Sequence, residues 1–126
     1  MGLVSRIIVF VITALFLLIG MIGTFQPLRL ATQLGFELPT DVAVGQFRAM
    51  VGAPYLAMAI ACLIAGLRKL PILLFPIGLI EALMVVARVI AAANGEFDPS
   101  VIPPTVLEVG MSGILLAISW PSLNKS

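Results

Sequence analysis

The chain has no histidine, one cysteine, one tyrosine and one tryptophan, and only 10% of its residues are charged. Each scarcity excludes something. Without histidine, the commonest side-chain ligand for zinc, copper or haem iron is missing. A lone cysteine, Cys62, permits neither an internal disulfide nor a CxxC redox pair. Metal, haem and dithiol chemistry built by this chain alone is therefore not expected, and no cofactor is assigned to it. The formal net charge is +1, so there is neither a basic patch for nucleic acid nor an acidic tail. Soluble domains carry roughly a quarter charged residues, and this chain has too few to cover a water-facing surface.

What is present is hydrocarbon: 61% of the 126 residues are hydrophobic, and mean hydropathy is +1.20. Apolar stretches of about 20 residues, the length that crosses a bilayer core, recur along the chain. The expected fold is an all-α integral membrane protein, a single domain over residues 1–126 with four transmembrane helices in an antiparallel bundle. The first apolar run follows Arg6 as IIVFVITALFLLIG. It continues through Met21 and Ile22 with no A-x-A-like cleavage site, so it reads as a span rather than a signal peptide. Spans are expected at about residues 3–25, 41–67, 71–93 and 105–120.

The connections carry their own signals. Pro27 stops the first span, and LRLATQLGF then places Leu28, Ala31 and Leu34 on one side, a short amphipathic surface helix closed by Gly35. Thr40 and Asp41 are good caps for the second span. That span carries a row of small residues four apart: Gly45, Ala49, Ala53, Ala57, Ala61 and Ala65. Such a row lets another helix approach closely, although it drifts by roughly 40° per step, so it is expected to be the main helix-packing face. Pro54 should kink this span and leave a carbonyl near Met50 without its usual partner. Pro71 is placed to start the third span, and Asn94–Gly95 to end it. Basic residues Arg6, Arg68, Lys69 and Lys125 fall on one side, so the positive-inside rule puts both termini in the cytoplasm.

The third span holds the residues of most interest, because PILLFPIGLIEALMVVARVIAAA carries Glu81 and Arg88. Ionisable groups within a span are costly and mark functional sites by default. Glu81 falls ~15 Å into the bilayer and Arg88 ~10 Å beyond it, two turns along the same face. Arg48 and Glu108 fall at the depth of Arg88. The expectation is a buried ionic cluster of Arg48, Glu81, Arg88 and Glu108, with Arg88 bridging Glu108 and Glu81, and Arg48 at the rim. The bland alternatives are a snorkelling Arg48, a purely structural pair at Glu81 and Arg88, and Glu108 closing a capping box with Thr105.

FQPLRLATQLGF, Asp41, QFRAMVGAPYLAMAIACLIAGLR, the later E-x6-R span and the LE near the end resemble a family of small four-helix bacterial membrane proteins, DoxX-like in architecture. The resemblance covers most of the chain through sparse polar marks. In the family pattern two glycines follow the arginine–alanine pair, whereas here Arg48–Ala49 is followed by Gly52-Ala53-Pro54. It implies the fold, a bacterial cytoplasmic (inner) membrane and the charged marks, and supplies no activity. The leading expectation is a non-enzymatic accessory or assembly subunit, docking through membrane-embedded faces onto a larger membrane complex or a second copy. The alternative is a small proton-linked transporter or channel using Glu81 and Arg88. An enzyme ranks last: only Glu81 and Tyr55 could serve, and nothing in the spacing brings them together.

Overall fold

Helix is the only regular structure that four successive apolar segments can adopt in lipid without closing a barrel, since each segment must satisfy its own backbone. The computed structural model, which describes residues 1–124, is all-helical, with no strand among the described residues. Four helices are long and apolar enough to cross a membrane: α1 (Leu3–Phe25), α3 (Asp41–Arg68), α4 (Pro71–Ala93) and α5 (Pro99–Leu123). A short α2 (Pro27–Leu34) lies between the first two. Lys125, part of the sidedness argument, lies outside the described residues.

Local chemistry explains the ends. The Thr40 hydroxyl accepts from the Ala43 amide at 3.1 Å, the N-cap expected of it. Gly35 closes α2 in the left-handed conformation, φ 80°, and after α4 Gly95 adopts φ 79° while Asn94 does not. The two-residue link after Arg68 has Lys69 at φ 53°. The last helix is longer than its sequence suggests. A 3-10 turn over Pro99–Val101 leads into α-helix from Ile102, because Asp98 caps the Ser100 amide at 2.8 Å and the prolines sit in the first turns, where a missing N–H is harmless. Hydrogen bonding from Ser100, side chain first and amide second, holds the Asp98 carboxyl below the usual carboxylate range.

Two corrections concern small helices and proline. The amphipathic α2 is present, but it buries Pro27, Leu30 and Ala31, and Leu28 faces outward. Before Pro54 the helix does not simply break. Arg48–Gly52 form a π turn in which the Ala53 amide reaches back five residues to the Arg48 carbonyl. The wider turn accommodates the proline ring and keeps the span continuous.

The helices pack as two antiparallel hairpins, α1 on α3 and α4 on α5, with side chains filling the space between. Val9 and Phe16 of α1, Met58 and Cys62 of α3, Leu74 and Ile77 of α4, and Leu115 of α5 form one core. A second, smaller cluster of Leu30, Ala31 and Phe47 fastens α2 to the far end of α1 and α3. The α1–α3 crossing depends on glycine. A Cβ on Gly52 would stand 2.6 Å from the Thr24 amide nitrogen, and one on Gly20 2.7 Å from that of Leu56. The predicted small-residue row is not this face. Gly45, Ala49, Ala53 and Ala57 are exposed, Ala61 is half-buried, and only Ala65 is fully buried. The four-residue spacing presumed a continuous α-helix, but the π turn adds a residue and shifts the phase by about 100°, on top of the drift.

Gly52→Leu should therefore separate α1 from α3 and destabilise the fold by about 1–3 kcal/mol. Gly110→Ala, with open space around its Cβ, should be neutral. Unfolding in mixed micelles by circular dichroism measures both.

Candidate functional site

The buried stripe of α4 is Leu74, Ile77, Gly78 and Glu81, one helical face. Beyond Glu81 no residue of α4 is fully buried, so this carboxylate marks the end of the packed core on its helix. The facing stripe of α5 is Glu108, Met111, Ser112, Leu115 and Ser119. Because α4 rises where α5 descends, the first turns of α5 meet the later turns of α4. Arg88 and Glu108 meet there as a two-pronged pair: Nε to Oε2 at 2.7 Å and Nη2 to Oε1 at 2.8 Å. The Glu108 side chain is 6% exposed and that of Arg88 31%.

Glu81 is 0% exposed, and among the described residues neither of its carboxylate oxygens has a hydrogen-bond partner. The expected bridge from Arg88 to Glu81 is absent. The fork of the guanidinium matches one carboxylate in plane, and Glu108 on the neighbouring helix presents both oxygens to it. Glu81, two turns away on the same helix, stays within the electrostatic field of Arg88 and Glu108 without bonding either. The capping alternative for Glu108 also fails: Thr105 lies inside the helix, and its hydroxyl donates to the Val101 carbonyl at 2.6 Å.

Arg48 is not part of the cluster. Its guanidinium crosses to α1 and donates to the Thr24 carbonyl, at the glycine crossing where the Thr24 hydroxyl is buried without a partner among the described residues. The π turn re-aims Arg48, and the continuous helix presumed from sequence did not include it.

Two residues complete the surroundings of Glu81. Tyr55 and Cys62, both on α3, lie in its electrostatic field. Tyr55 rests its ring 5.9 Å from Phe16 and points its hydroxyl at the Met84 sulfur, 3.8 Å away. Sequence spacing gave no sign that Tyr55 approaches α4, because that approach depends on how one hairpin leans against the other. Chemically, the centre offers a carboxyl able to hold or release a proton, a phenol and a separate ion pair. Metal binding needs several ligands, and no group of three or more Cys, Asp and Glu side chains assembles among the described residues. Two surface grooves, about 360 and 330 Å³, lie elsewhere; one is near Met1, Pro71 and Pro121, the other between α1 and α5.

Comparison with known protein families, with curated proteins and with solved structures gives no match.

Removing one partner of the ion pair should be costly. Arg88→Gln leaves Glu108 buried and alone, an expected loss of about 3 kcal/mol. Arg88→Met combined with Glu108→Met should recover most of it. A double-mutant cycle of thermal unfolding in detergent tests this, and additive losses would argue against the pair.

Proposed function

We propose that the chain is a small proton-linked transporter or channel, in which Glu81 takes up and releases a proton in the middle of the membrane. One observation carries this reading: Glu81 is fully enclosed with both oxygens unbonded, while the arginine that could neutralise it is engaged by Glu108. A purely structural pair would require Glu81 and Arg88 to satisfy each other, and the two are not bonded. An ionised carboxylate in an apolar site without a partner costs several kcal/mol. The packing around Glu81 therefore suits the proton-bearing acid, and the anion requires a rearrangement or a new partner. Such a group couples proton movement to conformation. The basic residues Arg6, Arg68 and Lys69, which share one end of the bundle, support placing that end on the cytoplasmic side of the membrane.

In liposomes holding a pH-sensitive dye, with valinomycin to compensate charge, the wild-type chain should dissipate an imposed pH gradient faster than empty vesicles. Glu81→Gln should fall to the empty-vesicle rate while keeping its helical spectrum. A wild type no faster than empty vesicles would sink the transport reading.

Assembly is the second reading, favoured by the outward position of Gly45, Ala49, Ala53 and Ala57. A row of small residues facing out of the fold permits close approach by a helix of another copy or of a larger complex. With Cys62→Ser as background, Ala53→Cys should cross-link in native membranes into a dimer or heavier species. Val89→Cys, equally lipid-facing, should not. Equal behaviour of the two positions would remove this reading.

A further inference from the structure

We infer that Tyr55 is the positioning residue of the Glu81 site: when Glu81 gives up its proton, the Tyr55 hydroxyl leaves the Met84 sulfur and donates to the new carboxylate. The inference deepens the proton-linked reading and rests on it.

Glu81 must find a donor when it becomes an anion, and the nearby candidates can be taken in turn. Arg88 holds Glu108 through Nε and Nη2, and its remaining N–H groups make no bond to Glu81. The hydroxyls of Thr13, Thr105, Ser112 and Ser119 donate to carbonyls of their own helices. The Cys62 thiol faces Glu81 but is a weak donor. On α1 the one charged residue is Arg6, which lies at the cytoplasmic-side end assigned above and donates to the Gly66 carbonyl. On α5 the group facing Glu81 is Glu108, an acceptor. Tyr55 remains. It carries the one hydroxyl of α3, and the contact that hydroxyl makes is with a thioether at 3.8 Å, a weak acceptor that it can leave at little cost.

Reach is also satisfied. Met84 and Glu81 are three residues apart on α4, neighbours on one face with roughly 5–6 Å between their Cβ atoms. A hydroxyl already at Met84 therefore has about one helical turn to cover. Of the charged groups around Tyr55, Glu81 acts on it most strongly, ahead of Glu108 and Arg88. Tyr55 belongs to the α1–α3 hairpin and Glu81 to the α4–α5 hairpin, so the new bond would draw the two hairpins together. The balance is simple: the O–H bond of the Glu81 acid breaks, the proton passes to water, and the phenol keeps its own hydrogen.

The test is a pH titration of the reconstituted chain by difference infrared spectroscopy, reading the carbonyl stretch of a protonated carboxylic acid. In the wild type that band should titrate, and Glu81→Gln should remove it. Tyr55→Phe should keep the band and raise its midpoint by about one pH unit, the size of one hydrogen bond to a charged group. Because Tyr55 is the single tyrosine, fluorotyrosine labels it alone. Its fluorine resonance should move with the Glu81 midpoint and stay fixed in Glu81→Gln, a readout that holds even where Tyr55→Phe folds poorly. An unmoved midpoint, or a fluorine signal indifferent to Glu81, overturns the role of Tyr55. Absence of any Glu81-dependent band at every pH overturns the proton-linked reading as well.

Discussion

The two-pronged bond between Arg88 and Glu108 decides the character of the polar centre. It ties the later turns of α4 to the first turns of α5, where neither helix is packed as densely as nearer the core. It also commits the Nε and Nη2 edge of the arginine to Glu108. Glu81 is left fully buried with both carboxylate oxygens unbonded, and the chemistry of the centre follows from that allocation. Had the guanidinium been shared between the two glutamates, Glu81 would have had a partner and the cluster a structural role.

The bilayer explains why such an arrangement persists. In water, two hairpins would be pressed together by the burial of hydrocarbon. In lipid that drive is absent, because acyl chains are as apolar as leucine, and helices associate through close packing and polar bonds instead. The chain supplies close packing within each hairpin, at Gly20 and Gly52 in one and at Gly78 against Leu116 in the other. Between hairpins it supplies bulky side chains such as Phe16 and Leu115. The weaker junction is thus the one that contains Glu81 and Tyr55.

Much of this was legible in the sequence. Run length gave the four spans, and Thr40, Gly35 and Pro71 marked their ends, because these signals depend only on neighbouring residues. The depth arithmetic brought Arg88 and Glu108 into one layer correctly, since rise per residue is nearly constant. What failed was rotation about the helix axis. The alanine row, the place of Arg48 and the inward face of α2 all depend on phase, and one π turn or one change of lean between hairpins alters it. The approach of Tyr55 to α4 was not legible for the same reason. The start of α5 was missed because Pro103 and Pro104 read as a loop, although the first turn of a helix has no use for their amides.

Length has a consequence of its own for how the molecule sits in lipid. The 28 residues of α3 extend ~42 Å, whereas a hydrocarbon core is ~30 Å thick. At one end of α3, α2 and Phe47 pack together, and the opposite end has the tight link after Arg68. Such an excess of length is relieved by tilting α3 or by local thickening of the bilayer. Membrane thickness thereby becomes a mechanical input to the helix that carries Tyr55.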